Sequence, residues 1–420
     1  LKFMKVSKLA QNLIGSEIVK IGNEVNDLKA KGEKITNLTI GDLDSNIYPI
    51  PAELKAGIQK AYADNLTNYP PASGLLSLRE SVSADLKQRY GLDYTPKDIL
   101  VAGGSRPLIY ATFKTIVDEG DKVIYPVPSW NNNHYSYLNS AKKVEIEVKP
   151  ENNFLPTAEE LKPHIKGAVL IALCSPLNPT GTMFTEKQLR DICELIVEEN
   201  KCRSEDEKPL YLMYDQIYAM LTFGEKHFNP VSLVPAMKEY TVFIDGSSKC
   251  FAATGVRVGW AFGPSAIISK MAALLTHVGA WAPKPEQAAM AAFLKQTAAV
   301  NAFVADYKGK IKYSLETLHE GIQTLKSKGF AVESIKPMGA LYLTIKLDYV
   351  GKTTPKRQKL NDTTDLVFYL IQEAGMALVP FSAFGNSRTM PWFRASAGGC
   401  SLQDIKDVLP RLEKALSVLK

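Results

Sequence analysis

The sequence predicts an α/β fold in which a mostly parallel sheet lies between helices and a second, smaller α/β unit follows toward the C-terminus. Three observations carry this. Short apolar runs alternate with helical patterns from about position 99 to 260, the rhythm of βαβ units. Several of these runs end in Gly, Pro, Asn or Asp, as strands do where they open into ligand crevices. At 420 residues the chain also exceeds the usual limit of a single core.

From Ser16 to Lys31 the spacing of Ile18, Ile21, Val25 and Leu28 predicts an amphipathic helix, and Ile35 to Ile40 alternates like a short strand ending at Gly41-Asp42. A helix follows Pro51, and another runs from Leu75 to Arg89 after the Pro-bracketed loop that presents Tyr69. Ile99 to Val101 reads as a strand. Gly103-Gly104 then opens a helix running to about Val117, with Ser105 as a plausible N-cap and Pro107 in the first turn. Lys122 to Tyr125, Val144 to Val148, Ala168 to Leu173, Leu210 to Met213 and Thr241 to Ile244 read as further strands, with helices from Thr157 and from Glu186 to Glu199 between them. One more strand is expected beyond Trp260, then helices from about Ser265 to Lys328. The smaller unit holds strands at Phe330 to Glu333, Leu341 to Leu347, Met376 to Val379 and Trp392 to Ser396, with helices from Thr364 and near Ser401.

Composition narrows the function. The chain is 45% apolar and 22% charged, with a formal net charge of +6 and no dense basic block, so nucleic-acid or membrane binding is not suggested. Five scattered cysteines with no CxxC pair fit a reducing, cytoplasmic setting. The five histidines show no metal-binding spacing, and no metal is expected. Lys2, Lys5 and Lys8 are not followed by the apolar segment of a leader.

Several residues stand where strands end. Lys249 follows the apolar strand at Thr241, where surroundings that disfavour its ammonium form suit an amine nucleophile; Arg257 nearby suits a phosphate. Read alone, that pair fits a surface turn better. The two glycines before Ser105 and Arg106 let backbone N–H groups face an anion at a helix N-terminus, a weak motif by itself. Trp130 is placed to stack on a planar ring or to pack at the rim. Asn178 sits in a breaker-rich loop over the sheet edge. Asp215, at the end of a buried strand, needs a partner such as a protonated ring nitrogen. Arg394, in an apolar strand, needs an anion or a structural ion pair. Gly41 is a turn glycine or a close-approach point for a ligand.

Taken together, Asn-Pro-Thr-Gly at 178 to 181, Tyr-Asp-Gln-Ile-Tyr at 214 to 218, Ser-Lys at 248 to 249, Gly-Val-Arg-Val-Gly at 255 to 259 and Phe-Arg at 393 to 394 resemble the class I/II aminotransferases, fold-type I enzymes dependent on pyridoxal 5′-phosphate. The resemblance spans nearly the whole chain. It implies a large cofactor-binding domain at 46–300 with a seven-stranded sheet, and a small domain formed by 1–45 and 301–420. It implies that Lys249 carries the internal aldimine and then moves the proton between substrate Cα and cofactor C4′. Asp215 would keep the pyridine nitrogen protonated, Tyr218 and Asn178 would hold the phenolic oxygen, and Trp130 would stack on the ring. Arg257, Ser248 and the backbone at Ser105 and Arg106 would take the phosphate. Tyr69 would reach the phosphate of a partner subunit, implying a homodimer with shared sites. Arg394, assisted by Gly41 and Asn178, would grip the substrate carboxylate.

Three positions depart from that pattern. Gly246 stands where the family commonly has a hydroxyl, Gly41-Asp42-Leu43-Asp44 lacks the usual Pro-Asp pair, and Pro107 is often Gln in relatives. The expected reaction moves the amino group of an L-amino acid, aspartate-like or aromatic, to a 2-oxo acid such as 2-oxoglutarate. Arg106 suits an acidic substrate; Tyr48, Trp130, Trp281 and Phe384 suit an aromatic one. The alternatives are a β-elimination lyase on the same scaffold and, less favoured, a non-catalytic cofactor-binding regulator, for which no DNA-binding unit precedes Ser16. A nucleotide enzyme is weaker still, since no acidic residue follows the Gly103-Gly104 loop at the ribose-binding position.

Overall fold

The computed structural model describes residues 6–13 and 17–420. Lys2, Lys5 and Ser16 lie outside the described residues.

A single turn, α1 (Lys8–Gln11), and the longer α2 (Glu17–Ala30) precede β1 (Thr36–Asn37). The strand expected over Ile35 to Ile40 thus shrinks to two residues, Thr36 and Asn37, which pair in parallel with Met376 and Ala377; the Leu38 N–H still donates to the Ala377 carbonyl at 3.0 Å. Next come α3 (Ala52–Ala63) and α4 (Leu76–Tyr90), followed by β2 (Ile99–Ala102), α5 (Ser105–Ile116), β3 (Lys122–Val127), α6 (Asn132–Leu138) and β4 (Lys142–Glu147). The helix expected from Thr157 is one turn, α7 (Ala158–Leu161), capped by Thr157. The chain continues through β5 (Ala168–Cys174), α8 (Glu186–Lys201), β6 (Tyr211–Asp215), α9 (Pro230–Leu233), β7 (Thr241–Gly246), α10 (Ser247–Cys250) and β8 (Gly259–Phe262). Three helices follow: α11 (Ser265–Val278), α12 (Lys284–Leu294) and α13 (Thr297–Ser327). The C-terminal part adds β9 (Val332–Ser334), β10 (Tyr342–Leu347), α14 (Thr363–Ala374), β11 (Met376–Ala377), β12 (Val379–Pro380), β13 (Trp392–Ser396) and α15 (Leu402–Ser417).

Local sequence explains the sharper boundaries. Thr185 and Gln188 form a reciprocal capping box at the start of α8, as Ser401 and Asp404 do for α15. Each such cap contributes about 1 kcal/mol by satisfying orphan N–H groups. In α8 the buried face is Leu189, Ile192, Cys193, Ile196 and Val197, a spacing of three and four residues that keeps all five on one side of the helix.

The large sheet runs in the order β2-β8-β7-β6-β5-β3-β4. Its strands are parallel except β8, which is antiparallel to both β2 and β7. The closing strand therefore starts at Gly259 and not beyond Trp260. One consequence matters for function: β3, β5, β6 and β7 all deliver their C-terminal ends, Val127, Cys174, Asp215 and Gly246, to the same edge. Phe243 and Phe262, on β7 and β8, stack with centroids 4.5 Å apart in the core beneath that edge, and burying each such ring contributes roughly 2 to 3 kcal/mol.

A smaller antiparallel sheet, β12-β13-β10-β9, is covered by α13 and α14, and α15 packs on those two helices. Ile21 and Val25 of α2 and Leu38 share its core with Leu315, Leu343, Phe393 and Ile405. The N-terminal segment is thus packed with the C-terminal part. Among the described residues no single helix is long and apolar enough to cross a membrane; α12 and α13 reach that threshold only when taken together across a 97° bend.

Candidate active site

The common strand edge opens into a cavity of about 860 Å³. Its lining includes Gly41, Ser105, Arg106, Trp130, Asn178, Asp215, Tyr218, Ser248, Lys249, Arg257 and Arg394, so eleven of the twelve residues singled out from sequence converge on it. Tyr69 does not. It is 81% exposed and touches Trp281 edge-on at 5.3 Å.

Lys249 enters on α10, one turn beyond the end of β7, and the Tyr307 hydroxyl of α13 donates to its backbone carbonyl at 3.0 Å. Its Nζ donates to the Gly41 carbonyl at 2.6 Å. Burial pushes its pKa down to about 8; Asp42 opposes that shift, while Arg394, Arg106 and Arg257 reinforce it. About a tenth of this lysine is therefore a neutral amine at pH 7, some hundreds of times more than for an ordinary lysine.

Asp215 closes β6 with a carboxylate that, among the described residues, accepts only the Ile217 N–H, at 3.1 Å. Burial pushes its pKa up to about 6, with that hydrogen bond and the charge of Lys249 pulling the other way. Such a carboxylate is poised to meet a cationic N–H. The Tyr218 hydroxyl lies 2.7 Å from that of Tyr342, and burial raises its pKa well above the usual phenol value.

Arg394 is almost wholly buried on β13, where its register partners are Thr344 and Val379. Its Nη1 donates to Asn178 Oδ1 at 2.9 Å and its Nη2 to the Thr39 carbonyl at 2.6 Å, while Nε has no partner among the described residues. The guanidinium lies between the Tyr342 and Phe384 rings, 4.7 and 5.0 Å from their centroids. No carboxylate pairs with it among the described residues.

At the other side of the cavity, Arg257 donates to the Thr254 and Gly103 carbonyls at 2.6 and 2.8 Å. Ser105 is not the N-cap of α5: Gly104 is, with φ of 98°, and Ser105 is the first helical residue. The reason is steric, since a Cβ on Gly104 would fall inside the Arg257 guanidinium. Arg106 lies over the Trp130 ring, 4.8 Å from its centroid. Gly246 is closed to any side chain, because a Cβ there would lie 2.8 Å from the Gly259 Cα of β8. The hydroxyl expected at that position has no room in this chain.

Sequence reasoning missed Tyr342, Thr39, Asp42, Cys174 and the cavity face of α2, formed by Ile18, Gly22 and Asn26. Tyr342 had a local signal, the Gly339-Ala340 turn before its strand; the α2 residues had none, being read only as a core-facing helix.

A family model for aminotransferases of class I and II matches residues 33–412. The chain belongs to this family. This class I/II aminotransferase is 29% identical over 418 residues to the aspartate aminotransferase of Bacillus subtilis, covering 98% of each chain, and 30% identical over 389 residues to that of Geobacillus stearothermophilus, covering 91% and 92%. Its fold matches the aspartate aminotransferase of Thermus thermophilus with maleate at a TM-score of 0.87 and 26% identity, covering 99% of this chain and 100% of that one. The protein is a fold-type I, pyridoxal 5′-phosphate-dependent transaminase. The relatives do not favour the β-elimination alternative.

The residues present fit the cofactor. Asp215 offers a carboxylate short of donors, Lys249 a depressed amine, and the α5 N-terminus with Arg257 an electropositive corner.

Proposed function

We propose that this aminotransferase transfers the amino group of an acidic L-amino acid, aspartate-like, to a 2-oxo acid such as 2-oxoglutarate. One observation supports the acidic substrate above the others: the cavity holds three guanidinium groups. Arg257 serves the cofactor phosphate and Arg394 the substrate α-carboxylate, which leaves Arg106 for a second carboxylate. The names of the relatives above agree with this reading.

The bound cofactor supplies an electron sink conjugated to the substrate Cα. The chain supplies the rest. Lys249 would hold the cofactor and, once free of it, would move the proton at the substrate Cα. Asp215 keeps the proton on the ring nitrogen. Tyr218, oriented by Tyr342, and Asn178 hold the phenolic oxygen, and Trp130 covers the ring. Ser248 and Arg257, with the backbone at Ser105 and Arg106, would bind the phosphate. Gly41 and Asn178 flank the carboxylate held by Arg394. A large domain at 46–300 and a small one at 1–45 with 301–420 place the cavity between two cores. Five free cysteines support a cytoplasmic setting.

The test is a single-turnover reaction of loaded enzyme with a panel of L-amino acids. L-Aspartate or L-glutamate should be consumed fastest, giving the 2-oxo acid and pyridoxamine phosphate. Aromatic amino acids reacting faster would sink the acidic assignment, and release of ammonia with the cofactor unchanged would restore the lyase.

Arg394 allows a sharper check. Arg394→Lys keeps a charge but loses the fork geometry, and Arg394→Ala leaves Asn178 and the Thr39 carbonyl without a donor. Losing one partner of a buried charge pair costs about 2 to 5 kcal/mol, so kcat/KM for amino acids should fall roughly 30- to 5,000-fold. An amine substrate without a carboxylate should react equally with wild type and Arg394→Lys; an equal loss on both substrates would contradict the assignment.

The reading also includes a homodimer. Tyr69 and Val278 are large side chains left 81% and 60% exposed near Trp281, a surface suited to a second copy. Sedimentation should give twice the 46.3 kDa chain mass, and Tyr69→Ala should weaken cofactor retention without altering α5 or β7. A monomer with full activity would overturn it.

A further inference from the structure

Behind the cavity, the ends of β6 and β7 are tied together by side chains that the reaction does not touch. Gln216, the residue after Asp215, is 1% exposed, and its Nε2 donates to Asp245 Oδ2 at 3.0 Å. The Gly246 N–H donates to the other oxygen of that carboxylate at 2.7 Å. Asp245 forms no ion pair among the described residues, and burial, aided by Asp215 and Asp85, pushes its pKa up to about 7. On the far side of Gln216, His227 Nε2 lies 3.5 Å from Oε1, and burial lowers its pKa to about 4, so it brings no charge. A buried carboxylate without a counter-ion costs stability, and a fold that carries one gains something other than stability from it.

The geometry says what that is. In the β6–β7 ladder Asp215 faces Ile244, and the Gln216 N–H donates to the Ile244 carbonyl at 2.9 Å. Asp245 and Gln216 are therefore the next residues along the two adjacent strand ends, and Lys249 follows Asp245 by four residues. Asp215 and Lys249 address opposite ends of one rigid pyridine ring, so the separation of these strand ends must be held to a fraction of an ångström. We propose that Asp245, acting through Gln216, is a positioning residue that fixes the spacing between Asp215 and Lys249. This rests on the reading that those two residues hold the cofactor.

Four variants test it: Asp245→Ala, Asp245→Asn, Gln216→Ala and the Asp245→Ala/Gln216→Ala double. In Asp245→Asn both contacts survive if the Gln216 amide turns over, with the new Nδ2 donating to Gln216 Oε1 and the Gly246 N–H still bound. Two quantities are read, the dissociation constant of pyridoxal phosphate by fluorescence titration and the single-turnover rate with L-aspartate. Leaving a buried group unpaired should weaken affinity and slow turnover about 5- to 100-fold in each Ala variant. The double should be no worse than Asp245→Ala, since both act through one contact, and Asp245→Asn should stay within about threefold of wild type. Unchanged Ala variants, an Asn variant as impaired as Ala, or losses that multiply in the double would each overturn the inference. Should Asp245→Ala fail to fold, Gln216→Ala against Asp245→Asn carries the same comparison. If wild type itself takes up no pyridoxal phosphate, the cofactor reading falls and this inference with it; a loaded wild type with unaffected variants overturns this inference alone.

Discussion

Replacing Lys249 with Ala is expected to reduce transamination by about 10⁴-fold or more, since in the proposed reading one side chain both anchors the cofactor and moves the proton. The loaded variant should show no covalent attachment: borohydride, which fixes pyridoxal phosphate to wild type, should leave Lys249→Ala free of it. Added amines should restore proton transfer but not attachment, which separates the two roles. The depressed pKa gives a further signature. Below pH 8 the buried amine is mainly ammonium and a poor nucleophile, so the rate of cofactor uptake by cofactor-free wild type should rise with pH and level off above about 8. The same shift has a consequence for stability, with a sign that can be worked out. A lysine whose folded pKa lies below its unfolded value penalises the folded state fully at pH values under about 8, and the penalty fades as pH climbs toward 10.5. Lys249→Met should therefore raise the Tm of cofactor-free protein more at pH 6.5 than at pH 9.5. A variant that still became covalently labelled would remove Lys249 from the centre of the site.

Much of this site was legible because its residues sit where strand periodicity stops. Asn178, Asp215 and Lys249 each follow an apolar run that can only be a buried strand, and parallel pairing then forces their loops to one edge. What the sequence could not show was contact between segments far apart in the chain. Thr39 meets Arg394 across 355 positions, and Gly41 meets Lys249 across 208. Neither pairing leaves a periodic trace. The strand at Gly259 was misplaced for a different reason: its Gly-Trp start reads as the end of a turn, and only antiparallel pairing with Ala102 and Gly246 makes it a strand. Ser105 was taken for a cap on propensity alone; the Arg257 guanidinium, 152 residues downstream, decides that only glycine fits before it. Local preference yielded to tertiary packing in both cases.

Asp215→Asn is expected to give the second largest loss. Removing one partner of a buried charge pair costs about 3 to 5 kcal/mol, or roughly 150- to 5,000-fold in the single-turnover rate. The amide is nearly the same size, and the Ile217 N–H can still bond its oxygen, so the loss is electrostatic and not one of packing. Stability should move in the opposite direction. The folded pKa of Asp215 is raised to about 6, so its burial penalty is absent below the unfolded value near 3.8, grows as pH rises through 6, and is complete above it. Cofactor-free Asp215→Asn should accordingly gain Tm at pH 8 and gain little at pH 4. Adding pyridoxal phosphate should reverse the ranking at pH 8, because only the wild-type carboxylate has a ring cation to meet. A variant that lost Tm in the cofactor-free state would mean that Asp215 serves the fold, and the stability once attributed to a ring nitrogen would have to come from neighbours such as the Ile217 N–H and Lys249.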